Sequence, residues 1–217
     1  MVILPIEKKL KKKQHRDIAL AQDMIVIEMY NTLKAIIYGD IAIWRCYSGN
    51  RFSEDIDVYL PKNLKNSDEI KKFKQNLEKI GFHTRKFKKT NNSLYSVFSY
   101  NDAIVRLEAV FKDVKNFIPK DFELSNGTFI LVYTLSPEDM IKEKINAYQK
   151  RKKVRDLYDI YFLLNFVEDK KKVKEDLTKF LSSFKKPVDE KDLEALIISG
   201  TAPTVEYMLR VIEKWVK

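Results

Sequence analysis

The sequence predicts an α+β fold, in which interleaved helices and strands are followed by helices alone. Through Thr134, stretches with helical apolar spacing alternate with short apolar or period-two stretches that predict strands. From Ser136 onward, every patterned stretch has helical spacing. The change indicates a domain boundary near Leu135, without a linker rich in glycine and serine. The 217 residues fit one large domain or two small ones, and the 45% hydrophobic content supports a packed core.

Turn residues and apolar spacing define the individual elements. Gly39 ends a short apolar run, and Gly81 ends a helix for which Ser67 is the predicted cap. The predicted helices of the first part are 17–34, 40–48 and 67–79, and its predicted strands are 35–38, 51–60, 82–87, 93–100, 103–111 and 128–134. The predicted helices of the second part are 137–150, 153–166, 170–184, 190–199 and 204–217.

The chain is strongly basic, with a formal charge of +10 and a pI of about 9.4. Clustered lysines and arginines attract phosphate, which favours a polyanionic partner such as a nucleoside triphosphate or RNA. Much of the excess lies in the runs 8–13, 71–74 and 170–174, which also fit solvated helix faces. Charge alone therefore leaves nucleic-acid binding and simple solubility open.

The cysteine content and hydropathy exclude several classes of protein. The single cysteine, Cys46, excludes an intramolecular disulfide and a cysteine-rich zinc site, which favours a reducing compartment. No stretch approaches the roughly 18 consecutive apolar residues of a membrane span. We therefore expect a soluble, cytoplasmic protein with no membrane partner. Cys46, His15 and His83 show no pattern that indicates a site.

A pair of acidic residues lies in the strand predicted over 51–60. Asp55 and Asp57 share one face of this strand with Tyr59, because side chains alternate between the two faces. Two carboxylates this close raise each other's pKa, and a bound cation relieves their repulsion. Hard oxygen ligands suit Mg²⁺ or Mn²⁺. The alternative is the solvent face of an amphipathic edge strand, although aspartate is depleted in strands.

A third carboxylate, Glu108, is the only acid in the apolar strand predicted over 103–111. Beside Asp55 and Asp57 it would complete a three-carboxylate metal site and could accept the proton of an attacking hydroxyl. The alternative is that Glu108 pairs with a lysine or arginine on an exposed face.

Charged residues also follow the start of the second part. The segment Ser136-Pro-Glu-Asp139 is explained by helix capping and the helix dipole. Lys144 stands at helical spacing from Met140 and Tyr148, so it lies beside the buried stripe, where a triphosphate could use its charge.

Three more charged residues, Arg151, Arg155 and Asp159, follow at four-residue steps. They share one face if the helix is continuous through all three positions. The alternative for the last two is an intrahelical Arg155–Asp159 ion pair without a role in binding.

Taken together, these motifs closely resemble the AbiEii/AbiGii toxin family, over about residues 25–170. The family is a nucleotidyltransferase group with the DNA polymerase β-like fold, found as the toxin of toxin–antitoxin and phage-defence pairs. The matching features are Gly39, Arg51-Phe-Ser-Glu-Asp-Ile-Asp57, Ser136-Pro-Glu-Asp139, Lys144, Arg151 and Arg155-Asp-Leu-Tyr-Asp-Ile-Tyr-Phe162.

The resemblance implies the architecture and the site. The expected fold is a nucleotidyltransferase α/β domain over residues 1–135, with a central mixed sheet flanked by helices, and a helical domain over 136–217 packed against it. The implied Mg²⁺ or Mn²⁺ ligands and catalytic residues are Asp55, Asp57 and, by a weaker match, Glu108. The implied nucleotide-binding residues are Gly39, Ser53, Lys144, Arg151, Arg155 and Asp159, with Asp156 in the same group.

The implied reaction transfers a nucleoside monophosphate from an NTP to an acceptor, with pyrophosphate leaving. The acceptor is an RNA such as tRNA, or a protein, and an antitoxin protein is an expected partner.

One departure from the family pattern bears on activity. The family usually has two glycines and a serine or threonine in the turn that grips the triphosphate, and here the sequence is Gly39-Asp40-Ile41. Asp40 places negative charge where phosphates bind. Either the metal sits differently, or nucleotide binding is weaker, or the chain is a degenerate module that binds RNA or a partner protein. A Mg²⁺-dependent nuclease is a third functional alternative.

Overall fold

The computed structural model describes residues 4–217, which divide into two compact units. The sheet unit contains the described residues up to Ser48 together with Phe52–Thr134. The helical unit contains Gly49–Arg51 and Leu135–Lys217. The predicted boundary after Leu135 lies one residue from this division. The short segment Gly49–Arg51 belongs to the helical unit, although the sequence analysis placed it in the first domain.

The sheet unit interleaves helices and strands. Its elements in chain order are α1 (Ile6–Lys9), α2 (Lys13–Thr32), β1 (Ile36–Tyr38), α3 (Gly39–Cys46), β2 (Asp55–Leu60), a 3₁₀ turn (Lys62–Asn66), α4 (Glu69–Lys79), β3 (His83–Lys89), β4 (Ser93–Tyr100), β5 (Ala103–Phe111), β6 (Ile118–Glu123) and β7 (Phe129–Thr134).

The helical unit contains α5 and α6, two further helices of twelve residues and several short turns. Its elements are α5 (Pro137–Arg151), α6 (Val154–Leu163), a 3₁₀ turn (Leu164–Phe166), α7 (Lys171–Ser182), a 3₁₀ turn (Glu190–Asp192), α8 (Leu193–Leu196) and α9 (Val205–Val216). Each long helix buries one apolar face, as Val173, Leu177 and Phe180 show for α7.

The seven strands form one mixed sheet in the order β3-β4-β5-β2-β1-β7-β6. The β2/β5 and β1/β7 pairs are parallel and the other four are antiparallel. The predicted α+β fold with a central mixed sheet is therefore confirmed. Its central strand is β2, which carries both predicted catalytic aspartates.

The two faces of β2 have different environments. Ile56 and Val58 are fully buried on one face, where each such side chain contributes about 1.5–3 kcal/mol to stability. The same face of the sheet carries Phe98, which packs against Phe73 of α4 with 6.3 Å between ring centroids. Asp55 and Asp57 point to the opposite face and are partly exposed. The predicted alternation therefore holds over the first four residues of β2, whereas Tyr59, which was predicted on the face of the aspartates, is buried.

Three sequence predictions of elements were wrong in detail. Strand β6 was not predicted, because its Pro119 and Asp121 are depleted in strands and tolerated here at the sheet edge. The helix predicted over 190–199 is a 3₁₀ turn followed by the four-residue α8. The strand predicted over 51–60 begins at Asp55, while Arg51 forms an isolated bridge with Ile197 in the helical unit.

Candidate active site

The turn between β1 and α3 lies directly beside Asp57. Gly39 begins α3 with a φ of +71°, a backbone conformation that glycine adopts without steric cost. A Cβ atom at this position would lie 2.8 Å from Oδ2 of Asp57. Two features therefore require glycine at this position: the positive φ of the backbone and the space that the Asp57 carboxylate occupies.

The two residues that depart from the family pattern have structural roles in α3. Ile41 is fully buried, so the position of the family hydroxyl is part of the hydrophobic core. Asp40 lies in the first turn of α3, where a negative charge favours the helix dipole. Both departures are therefore explained by the structure of α3, one by the helix dipole and the other by the core.

Strand pairing places the third predicted carboxylate beside the first two. In the parallel β2/β5 ladder, Asp57 is the register partner of Glu108 and Asp55 is the partner of Arg106. Adjacent strands lie about 4.8 Å apart, and register partners project to the same face. Glu108 is exposed on that face. The three acids therefore lie on one face of two adjacent strands.

Arg106, which sequence analysis missed, binds Asp55. Its Nε and Nη2 donate to Oδ1 and Oδ2 of Asp55 at 2.5 Å and 2.9 Å. Hydrogen bonding to Asp55 raises the pKa of the Arg106 guanidinium, which stays charged in any case. An arginine within an apolar strand could have been noticed in the sequence, but its partner follows only from the β2/β5 register. The carboxylate of Asp55 is therefore already occupied by a cation.

The carboxylates on this face are donors that suit a hard divalent cation, provided that one existing ion pair is exchanged for the metal. Among residues 4–217, no cluster of three or more His, Cys, Asp or Glu side chains is assembled for a metal ion. Asp57, in the space left by Gly39, and the neighbouring Glu108 supply carboxylate oxygens of the kind that Mg²⁺ prefers. Asp55 would have to exchange Arg106 for the metal. The assignment of these three acids as metal ligands therefore remains a prediction.

Ser53 fixes the start of β2. Its hydroxyl donates to the backbone carbonyl of Asp55 at 3.3 Å, and its own carbonyl accepts from Nε2 of Gln22 at 2.9 Å. Ser53 is 4% exposed, so these bonds hold the chain that leads into the acidic strand. Its role in nucleotide binding remains a prediction.

In the helical unit, five charged residues form a buried ionic cluster: Arg51, Lys144, Arg151, Asp156 and Asp159. Arg51 donates to Asp159 through Nε at 3.1 Å and Nη2 at 2.7 Å, and Nζ of Lys144 lies 2.6 Å from Oδ2 of Asp159. Arg151 binds Asp156 through two bonds of 2.7 Å and 2.6 Å. Both aspartates are fully buried, whereas the Arg151 side chain is 42% exposed.

The cluster overturns the alternative interpretation of Asp159. Asp159 pairs with Arg51 and Lys144, so the proposed intrahelical Arg155–Asp159 pair was wrong. The helix is also not continuous: α5 ends at Arg151, and Lys152 has a φ of +52° before α6 begins. Nε of Arg155 is buried without a hydrogen-bond partner in the described chain. Arg151, Arg155 and Asp159 therefore do not share a face of one helix.

The segment Ser136-Pro-Glu-Asp139 acts as the sequence predicts. Oγ of Ser136 accepts from the backbone N–H of Asp139 at 3.2 Å, and Pro137 begins α5. Glu138 has a further role, because its carboxylate accepts the backbone N–H groups of Glu168 and Asp169, both at 2.9 Å. These residues are explained by the structure of the helical unit.

The geometry makes a specific prediction at Gly39. We expect Gly39→Ala to lower the nucleotidyl transfer that the family resemblance implies by about ten- to a hundredfold, because the new Cβ displaces the Asp57 carboxylate. Gly200→Ala is the matched control: its φ is +81°, and a Cβ there meets nothing within 4 Å. Both variants bear similar backbone strain. Equal activity in the two variants, measured with labelled NTP, would contradict the assigned position of Asp57.

Comparisons with known proteins identify the family and the fold of the chain. The family profile described as "Nucleotidyl transferase AbiEii toxin, Type IV TA system" matches residues 33–202. No curated protein matches the chain in sequence. None of the helices in residues 4–217 has the length and apolar character needed to cross a membrane.

Several solved structures share the fold, and two of them illustrate the similarity. JHP933 from Helicobacter pylori is 19% identical, with a TM-score of 0.63, and the match covers 94% of this chain and 91% of that one. MenT4, the nucleotidyltransferase toxin Rv2826c from Mycobacterium tuberculosis H37Rv, is 14% identical, with a TM-score of 0.60 and coverage of 94% and 84%. The profile match spans most of the sequence, including the acidic strand and the ionic cluster. The chain belongs to the AbiEii family of nucleotidyltransferase toxins.

Proposed function

We propose that this chain transfers a nucleoside monophosphate from an NTP to an acceptor hydroxyl on RNA, with Mg²⁺ or Mn²⁺ held by Asp55, Asp57 and Glu108. The observation that carries the proposal is the packing of the Asp57 carboxylate against the Gly39 turn, with Glu108 as its register partner. The bound metal would neutralise phosphate charge and lower the pKa of a coordinated hydroxyl.

The proposed reaction exchanges one bond at the α-phosphorus for another, and residues of this chain are proposed to assist it. The acceptor oxygen forms a bond with the α-phosphorus, the bond between the α-phosphorus and the bridging oxygen breaks, and pyrophosphate leaves. Glu108, exposed on the acidic face, is the proposed acceptor of the hydroxyl proton. The backbone amides that begin α3 are the proposed phosphate contacts, since a helix N-terminus attracts anions and Gly39 permits close approach.

Three cations of the helical unit belong to a second part of the proposal. Lys144, Arg151 and Arg155 are the proposed nucleotide-binding cations, and their match to the family positions motivates this assignment. Arg151 is the most accessible member of the cluster, with 42% of its side chain exposed. Asp156 and Asp159 bind Arg151 and Lys144 directly, so their proposed role is to position these cations.

Transfer should depend on a divalent cation and release pyrophosphate. The test incubates the protein with each of the four α-labelled NTPs, Mg²⁺ and total RNA, and measures labelled RNA and pyrophosphate. We expect transfer from at least one NTP, its loss on addition of EDTA, and its recovery with excess Mg²⁺ or Mn²⁺. Absence of transfer with every NTP would contradict the proposal. Strand cleavage without pyrophosphate release would indicate a nuclease instead.

A degenerate binding module is the second candidate function. Two observations favour it: Asp40 occupies the phosphate turn, and Arg106 already neutralises Asp55. Such a module would bind RNA with steep salt dependence, without Mg²⁺ and after substitution of both Asp55 and Asp57. Calorimetry discriminates the two functions, because NTP binding that requires Mg²⁺ supports the transferase alone.

The proposed biological role is that of a toxin with an antitoxin partner, for which the family is the support. Expression of the wild-type chain should arrest growth, and expression of an Asp57→Ala chain should not. Growth arrest by both chains would separate toxicity from nucleotidyl transfer.

A further inference from the structure

Two pairs of charged residues lie side by side across β2 and β5. Asp55 faces Arg106, and Asp57, two residues further along β2, faces Glu108. Residues two apart on a strand project to the same face and lie about 7 Å from each other. One face of the two strands therefore carries a pair of opposite charges next to a pair of like charges.

The charges of these four residues match one divalent cation. Three carboxylates and one guanidinium give the group a net charge of −2, which a single Mg²⁺ or Mn²⁺ neutralises. A purely structural cross-strand pair explains the contact between Asp55 and Arg106. It does not explain why two further carboxylates face each other directly beside that contact. The arrangement suits a cation site that includes Arg106 as one of its charges.

Arg106 occupies both oxygens of the Asp55 carboxylate. Its Nε donates to Oδ1 at 2.5 Å and its Nη2 donates to Oδ2 at 2.9 Å. Two parallel bonds of this kind are the strongest arrangement between arginine and a carboxylate. A metal ion binds through the same oxygen lone pairs. Metal and guanidinium therefore compete for Asp55.

The contact between Asp55 and Arg106 is accessible enough to be exchanged. The side chains of Arg106 and Asp55 are 46% and 35% exposed, and ion pairs in contact with water contribute little net stability. The Arg51–Asp159 pair has a similar geometry, but its side chains are only 4% and 0% exposed. A pocket of about 350 Å³, lined in part by Asp55 and Arg106, gives the guanidinium room to move.

We propose that Arg106 exchanges Asp55 for the phosphates of the nucleotide when a divalent cation binds to Asp55. The released guanidinium has the planar fork of donors that suits phosphate oxygens. Metal and nucleotide binding then become cooperative, because each ligand favours the arrangement in which the ion pair is broken. The inference rests on the proposed transferase function and concerns the regulation of its metal site.

Two other acids offer the released guanidinium a different destination. Glu54 and Asp102 line the same pocket as Arg106. If Arg106 moved to either acid, metal affinity would still depend on Arg106, whereas nucleotide affinity would not. Binding of the metal and of the nucleotide must therefore be measured separately.

The first measurement is Mn²⁺ binding without nucleotide, followed by the electron paramagnetic resonance signal of free Mn²⁺. We expect Arg106→Gln to tighten Mn²⁺ binding about tenfold, because the competing bidentate pair is lost. Arg106→Lys should fall between this variant and wild type, because lysine keeps the charge but cannot form the two parallel bonds. An unchanged Mn²⁺ affinity in Arg106→Gln would overturn the proposal.

The second measurement is calorimetric binding of α,β-methylene NTP analogues at saturating Mn²⁺. Arg106→Gln should weaken binding of the preferred analogue about tenfold, the reverse of its effect on the metal. An unchanged analogue affinity would overturn the exchange, because the guanidinium would then move to Glu54 or Asp102, or remain in place. Thermal unfolding of each variant establishes that it is folded.

A charge-matched control lies on the same face of the sheet. Lys86 shares the register row of Arg106 through Val97, two strand spacings or about 10 Å away, and its ammonium group lies 4.8 Å from the centre of the Tyr95 ring. Lys86→Gln removes one positive charge without removing the partner of Asp55. We expect its Mn²⁺ affinity to stay within about twofold of wild type at physiological salt. Equal tightening in Lys86→Gln and Arg106→Gln would overturn the proposal, because metal affinity would then follow net charge.

The transfer assay separates failure of this inference from failure of the proposed function. If wild type labels RNA while Arg106→Gln binds Mn²⁺ and the analogue as wild type does, the exchange is wrong and the transferase stands. If both affinities shift as expected but no NTP supports transfer, the exchange stands and the transferase function fails.

Discussion

We expect Asp57→Ala to reduce nucleotidyl transfer at least about a thousandfold, equivalent to about 4 kcal/mol of transition-state stabilisation. Asp57 is the carboxylate that lies against the Gly39 turn and beside Glu108, so its loss removes the central member of the three acids. The measurement is the rate of α-labelled NTP transfer to RNA under saturating Mg²⁺. Thermal unfolding should change little, because Asp57 is partly exposed.

The matched control for this variant is Asp68→Ala in the same unit. Asp68 is 91% exposed, with Lys71 as its ion-pair partner. Its removal should leave transfer within about twofold of wild type, since exposed ion pairs contribute little. Transfer that survives Asp57→Ala at the level of the Asp68 control would exclude Asp57 from the chemistry.

The largest effect on stability is expected at Asp159. We expect Asp159→Ala to lower the free energy of unfolding by about 3–5 kcal/mol, because it removes the carboxylate that two buried cations share. Arg51 loses two hydrogen bonds, and Lys144 keeps Asp156 at 3.8 Å in place of Asp159 at 2.6 Å. The side chains of Arg51 and Lys144 are 4% and 6% exposed, so water cannot replace the lost carboxylate at low cost.

Urea unfolding followed by circular dichroism measures this change. Glu175→Ala is the control, because Glu175 and Lys179 form an exposed ion pair in the same unit, at 2.6 Å. Its loss should cost less than about 1 kcal/mol. If Asp159→Ala cost no more than Glu175→Ala, the ionic cluster would be solvated rather than buried. A decrease in the transfer rate of Asp159→Ala that exceeds the decrease in its folded fraction would further support the proposed role of Asp159 in positioning Lys144.

The acidic strand was predictable because its signal is local. Alternation along a strand is fixed by backbone geometry, so Asp55 and Asp57 could be placed on one face from their spacing alone. Helix capping by Ser136 was predictable for the same reason, since all its determinants lie within one turn. The sheet edge was less predictable, because Pro119 and Asp121 suppress the local strand signal of β6.

The partners of these residues depend on distant parts of the chain. Arg51 and Asp159 are 108 positions apart, and no local pattern brings them together. The helix is interrupted at Lys152, so Asp159 does not share a face with Arg151, and its partner is not Arg155, which the sequence analysis gave as an alternative, but Arg51 and Lys144. Likewise, the Asp55–Arg106 pair follows from the parallel register of two strands separated by 51 positions.

The sequence by itself determined the mixed α and β composition, the face that carries Asp55 and Asp57, and the family, because these follow from backbone periodicity and local motifs. Only the tertiary structure decided that Arg106 neutralises Asp55, that Asp159 holds Arg51 and Lys144, and that Gly39 leaves space for Asp57. The physical reason is that charge pairing and steric fit act through space over a few ångströms, whereas sequence patterns report neighbours along the chain.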